Sequence, residues 1–203
     1  MERIIVLLCL CAALLSWSKT AAAQVGGARD HLGVGMALDF GGEVEFGRNA
    51  PSRAWDDLDA TVGLRGHWDH AVHRYVSIGA LLRMSWWEPD YTLSMGRSFL
   101  LDPCFRVTGH YDWRDFRFYG GLAPGLTLSV IDDDGLGVNN PAAGFTMSVT
   151  VAGMEWWFSR KAGLFVELGW VGHWFEHDGE GGTRDLEVHL SQGLFEFGFV
   201  FGV

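Results

Sequence analysis

The sequence is short of cysteine, of positive charge and of long apolar runs, and each shortage removes a class of protein. Of its three cysteines, Cys9 and Cys11 lie in the first apolar stretch and Cys104 stands alone in the rest. No intramolecular disulfide can then staple the chain beyond that stretch, and Cys104 reads as a buried thiol. Beyond Leu15 no continuous apolar segment reaches the ~20 residues that a spanning helix needs. Any passage across a membrane has to be made by strands. Catalytic signatures are missing too: there is no phosphate-cradling glycine loop, no HExxH and no nucleophile elbow. No catalytic, cofactor-binding or metal-binding residue is expected, and no cofactor.

The N-terminus reads as an export signal. Arg3 precedes the apolar run Ile4 to Leu15, and Ala21-Ala22-Ala23 supplies small residues ahead of a cleavage point before Gln24. Cys9 and Cys11 follow Leu8 and Leu10 where a lipoprotein signal wants a small residue, so lipid attachment is not expected. Residues 1–23 are read as the signal and 24–203 as one domain. Without Glu2, Arg3 and Lys19, the 25 acidic and 15 basic residues fall to 24 and 13, a net charge of −11 with His neutral. That balance excludes nucleic acid as a partner.

What is abundant is glycine and aromatic side chains: 28 Gly, 14 Phe and 10 Trp. They sit in segments where apolar and small or polar residues alternate, the signature of strands with one apolar face. The last segment shows it most clearly, with Phe195, Phe197, Phe199, Phe201 and Val203 alternating with Glu196, Gly198, Val200 and Gly202. Earlier segments repeat the pattern from Leu32, Leu58, Val76, Phe99, Phe116, Phe145 and Leu164, and an eighth from Asp185 runs to the end. Pro103 interrupts the fourth strand and suggests a local bulge. The sixth changes parity near Gly153, where a bulge would turn Glu155 inward. The eighth is expected to shift register near Gln192 and Gly193.

Connections alternate in length: long at 47–56, 88–95, 131–143 and 176–184, and short at 70–73, 112–115 and 159–162. Eight antiparallel strands with short turns at one end and long loops at the other make an all-β, up-and-down transmembrane barrel. Its oily face would be outside, and closing it would remove the edges that lipid does not tolerate. Trp68, Tyr75, Tyr111, Trp113, Phe116 and Phe201 near the short turns, and Trp86, Trp87, Trp174 and Phe175 near the long loops, are placed as interface aromatics. Asp39, Asp57, Asp59, Arg65, Arg83, Asp102, Arg106, Glu155, Glu167 and Glu196 should face inward. The interior of so small a barrel is just wide enough for side chains, so a packed polar network is expected, built mainly on Asp59, Arg65, Arg83, Asp102, Arg106, Glu155 and Glu167.

Three stretches carry a family resemblance: Phe118-Tyr-Gly-Gly-Leu-Ala-Pro-Gly-Leu126, Gly153-Met-Glu-Trp156 leading into Leu164-Phe-Val-Glu-Leu-Gly-Trp170, and the aromatic C-terminal strand. They resemble the small eight-stranded outer-membrane barrels of the OmpA and OmpX type. The resemblance implies inward-pointing Glu155 and Glu167, residence in the outer membrane of a Gram-negative bacterium, contact with outer-membrane lipid, insertion by the barrel-assembly machinery, and a structural or surface-interaction role through loops whose partner is unknown. Where that pattern has a basic residue two before the second Glu, this chain has Phe165. Its charges must be wired otherwise, through Arg65, Arg83, Arg106 and Arg117. The chain also ends on Val203 rather than on an aromatic.

Two other functions compete. His189 and Ser191 share a strand face, which resembles the His-x-Ser of barrel-type lipid A deacylases, although Gln192 follows where that family has Asn. A soluble periplasmic barrel holding a small ligand would need the apolar faces turned inward. Asp132-Asp-Asp-Gly135 lacks the spaced carboxylates of a calcium loop and reads as a solvated acidic loop. His173, His177 and His189 lie near one rim, but solvated or interior histidines are the simpler reading.

Overall fold

The computed structural model describes residues 29–47, 54–57, 60–87, 98–131, 141–179 and 185–203. The expected signal, residues 1–23, and Asp59 and Asp132–Gly135 lie outside them. Nine strands follow one another: β1 (Asp30–Gly47), β2 (Ala54–Asp57), β3 (Thr61–His73), β4 (Val76–Trp87), β5 (Ser98–Trp113), β6 (Phe116–Val130), β7 (Ala142–Trp157), β8 (Ala162–His177) and β9 (Leu186–Gly202). Every neighbouring pair is antiparallel. β9 lies along one edge of β1 from His31↔Gly202 to Gly47↔Glu187. β2 and β3 share the other edge, β3 up to Asp39↔Thr61 and β2 from Glu43↔Asp57. These two segments form one wall strand, so the sheet closes as an eight-stranded barrel, with no edge left open along β1.

Side chains obey the period of two. Leu32, Val34 and Met36 are exposed on β1 while His31, Ala37 and Asp39 are buried; on β5 Phe105 and Val107 point out while Asp102, Cys104, Arg106 and Thr108 point in. Twenty-nine large hydrophobic residues are exposed on the described wall and rim, from Leu32 to Val203. In water such a belt would be a large uncompensated apolar surface. In hydrocarbon it is the surface the barrel needs.

Three register expectations are corrected. Around Pro103 the β5–β6 partners run from Leu101↔Leu128 to Cys104↔Gly125 to Val107↔Leu122 without a shift, so there is no bulge. Pro103 and Pro124 lie in the two unmatched stretches: each lacks an N–H, and the ladder skips them while keeping its register. On β7 the extra residue sits at Val151, two positions before Gly153, with shifts between Thr150 and Ala152 on one side and opposite Tyr119 to Gly121 on the other. Gly153 has a different duty, since a Cβ there would lie 2.3 Å from the Tyr119 ring. β9 is regular throughout against β8. The irregularity belongs to β1, between Phe40 and Gly42. Gly41 and Gly42 adopt φ of 55° and 127°, a backbone open to glycine that Gln192-Gly193 never uses. The first two turns are also tighter than expected: β3 continues through His70 to His73, leaving Arg74-Tyr75 as the first, and β5 runs to Trp113, leaving Arg114-Asp115 as the second.

Candidate functional site

The barrel interior is filled by charge. Glu167 on β8 accepts hydrogen bonds from Arg106 Nη2 at 2.7 Å, Tyr119 Oη at 2.8 Å and Thr150 Oγ1 at 2.9 Å. Arg65 Nη1 is 2.9 Å from the same carboxylate and also bonds Glu196. Glu196 in turn takes Arg83 through Nη2 at 2.9 Å and Nε at 3.1 Å. Asp69 lies 3.6 Å from Arg106. Five strands, β3, β4, β5, β8 and β9, are thus tied across the lumen through two glutamates, each facing two guanidinium groups.

Smaller groupings flank this centre. Toward the chain termini, Arg117 pairs with Asp112 at 2.7 Å and His31 at 2.9 Å, and Trp157 Nε1 donates to Glu155 at 2.9 Å. His31 lies 3.5 Å from Glu155 and Arg117 lies 4.0 Å from it. Toward the other end, His173 bonds Asp102 at 2.9 Å, and Asp39 is buried. Of the residues expected inside, Arg65, Arg83, Arg106 and Glu167 therefore meet in one network. Asp102 and Glu155 stand in separate clusters above and below it, and Asp59 falls outside the described residues. Glu196 is the hub that the principal set omitted; Asp69, Tyr119 and His31 are partners the sequence did not single out, and His173 is one of the interior histidines.

Phe165 stands where the resembled pattern has a basic residue, and its surroundings show how the lumen gets a cation at that level without one. It points inward, is 3% exposed, and its ring takes the Arg65 guanidinium at 4.9 Å from the centroid. His67 packs edge-on at 5.1 Å. The cation reaches the same level of the lumen from β3 instead of β8, and the aromatic ring holds it there.

The interior is not polar throughout. Beyond Asp102 and His173, at the end away from the termini, Val44, Trp87, Leu100, Ile131, Phe175, Leu186, Val188 and Leu190 form one buried apolar cluster. Trp87 and Phe175, expected at the interface, are inside it, with ring centroids 6.3 Å apart. Trp86 and Trp174 keep the outward positions. The lumen is therefore closed twice, by ion pairs in the middle and by apolar packing above them.

The His–Ser pair lies on the outer wall. Ser191 is exposed and accepts a hydrogen bond from Trp170 Nε1 at 2.8 Å. His189 Nδ1 is 3.6 Å from Glu45 Oε2 on the neighbouring β1. His173 and His177 point into the lumen at 1% and 0% exposure, so the wall separates them from His189. No group of three metal-ligating side chains occurs among the described residues. Cys104 is a buried free thiol beside Leu81 and Ala123.

No family model matches the sequence, and no curated protein matches it. By structure the chain is similar to the outer membrane protein OprG from Pseudomonas aeruginosa, with a TM-score of 0.61 at 11% identity, covering 88% of this chain and 98% of that one. It is also similar to Neisserial surface protein A, with a TM-score of 0.53 at 10% identity over 87% and 98% of the two chains. Identities this low speak of architecture alone. The chain has the fold of the small eight-stranded outer-membrane β-barrels.

Proposed function

We propose that the protein is an integral β-barrel of a Gram-negative outer membrane, with a shut interior, that acts as a structural element or surface-interaction module through its long connections. One observation carries the reading: the apolar side chains face outward while the lumen is filled by buried ion pairs, which is the reverse of a soluble ligand-binding barrel. Charge supports the surface role. Residues 48–53, 88–97, 131–141 and 178–185, which connect strands at the end away from the termini, hold eight acidic and four basic residues. The three short turns hold four basic residues and one acidic one. A loop partner of cationic character fits that surface.

Cysteine labelling in intact cells tests the arrangement. Asp133→Cys is expected to react with a membrane-impermeant maleimide, and Arg114→Cys only after the outer membrane is permeabilised. Buried Cys104 supplies little background. Equal labelling of the two positions would overturn the orientation.

A lipid-ester hydrolase is the second reading, favoured by one observation: Glu45 is the carboxylate that His189 would need to hold its tautomer, with Ser191 two residues along the same outer face. Purified protein should then deacylate outer-membrane lipid, and Ser191→Ala should abolish it. Activity that survives this substitution, or none in the parent, removes the hydrolase.

A further inference from the structure

The glycines of a barrel normally explain themselves, because a neighbour occupies the space a side chain would take. Most do so here: a Cβ on Gly33 would fall within 1.9 Å of His67, and one on Gly79 within 1.8 Å of the Trp68 carbonyl. Gly109 is different. It is exposed on the outer wall of β5, its φ is not positive, and the nearest atom to an added Cβ is the Tyr75 carbonyl at 4.0 Å. Neither backbone conformation nor packing inside the protein requires glycine there.

Gly109 is the floor of a hollow of about 600 Å³ on the outer wall, bounded by Tyr75, Tyr111, Phe118, Gly120 and Val151. Gly109 and Gly120 face one another across β5 and β6. On the adjoining β7, Val151 is the bulged residue, without a ladder partner on β6 or on β8, and 74% exposed. The bulge pushes the Val151 side chain out from the wall, where it bounds the hollow on its β7 side. The hollow lies four residues from the Trp113–Phe116 turn and beside the Arg74-Tyr75 turn. The Arg74 guanidinium rests 4.5 Å from the Tyr75 ring centroid, and Arg114 lies 5.0 Å from that of Trp113. Among the described residues Arg74 makes no ion pair, and its guanidinium rests on the Tyr75 ring alone, whereas the nearby Asp112 carboxylate is held by Arg117 at 2.7 Å.

We propose that this hollow holds one phospholipid of the periplasmic leaflet, its acyl chain over Gly109 and Gly120 and its anionic phosphate at Arg74. The inference rests on the membrane reading and adds to it a particular lipid at a particular place. The apolar floor is continuous with the lipid-facing belt, which supplies the acyl chain. The Arg74 cation, held over Tyr75 at the rim, is complementary to the phosphate. The tyrosines at the same level are the amphipathic side chains favoured where acyl chains give way to headgroups.

Native mass spectrometry of the full-length barrel in detergent, titrated with phosphatidylglycerol, tests this. The parent is expected to retain one lipid at concentrations where Gly109→Leu and Arg74→Glu each bind about tenfold more weakly, the loss of roughly one good contact. Gly66→Leu is the control. Gly66 floors a separate outward hollow, and a Cβ there meets nothing closer than 3.9 Å, so it should leave retention unchanged. Heat-dependent gel mobility, measured on each variant, reports barrel formation independently of lipid retention, and its absence in the parent would indict the membrane reading instead. Folded Gly109→Leu and Arg74→Glu variants that retain the lipid as the parent does would overturn the proposal. So would a loss caused equally by Gly66→Leu, which would mean an ordinary lipid annulus.

Discussion

Glu196 carries more of the interior than its position in the sequence suggests. It sits at 1% exposure between Arg65 and Arg83, whose side chains reach it from β3 and β4. Neutralising it would leave two buried guanidinium groups leaning on the remaining carboxylates. Glu196→Gln is therefore expected to cost about 3–5 kcal/mol, the usual penalty for breaking a buried pair from one side. The urea midpoint of the folded form checks this, and an unchanged midpoint would show that water, not protein, neutralises the arginines. At this scale strand parity outperformed residue type. Trp87 and Phe175 have the inward parity of Arg83 and His173, and they do point inward; the preference of aromatics for interfaces misplaced them. Leu100, Leu186, Val188 and Leu190 share the inward parity of Asp102 and Glu196 in the same way. Which carboxylate meets which arginine was not legible, because those contacts cross the lumen and depend on the stagger between strands that are not neighbours.

At the level of the strand, two bulges decide which side chains reach the lumen. On β1 the Gly41-Gly42 pair reverses parity, so that Asp39 and Val44 both point inward. Gly41 has a left-handed φ of 55° and open space where a Cβ would go, while Gly42 has φ of 127° and a Cβ would fall 2.1 Å from the Ser191 carbonyl. Asn tolerates the first conformation and not the second. Gly41→Asn should change stability by under about 1 kcal/mol, and Gly42→Asn should cost about 1–3 kcal/mol or more. Comparable unfolding midpoints for the two would contradict the bulge. The sequence showed that parity changes in β7, but a bulge at Val151 and one at Gly153 leave the same residues facing inward beyond them, so pattern alone could not choose. Near Gln192 the signal was read on the wrong strand, since a register shift between partners can come from an extra residue on either.

For the whole molecule, closure was legible because it follows from counting: eight alternating segments, alternating connection lengths, and termini that must meet. The structure supplies the pairing of β1 with β9 and shows that β2 and β3 are two halves of one wall strand. The double seal of ion pairs and apolar packing was half legible. A polar interior was expected; its apolar upper layer was not, because Trp87, Leu100, Phe175 and Val188 are the same residue types as those of the outer belt. The two ends differ in charge, acidic at the long connections and basic at the turns, and the proposed surface role and lipid site use opposite ends of that asymmetry.

The proposed membrane residence requires an apolar wall that faces hydrocarbon. The measurement that tests it most directly is to fractionate expressing cells and compare boiled with unboiled outer-membrane extract on a gel. A closed barrel held by the network around Glu167 and Glu196 should stay folded in detergent without heat and migrate differently once boiled. A soluble periplasmic protein whose mobility ignores heating would contradict the account and require the apolar faces to form an internal core.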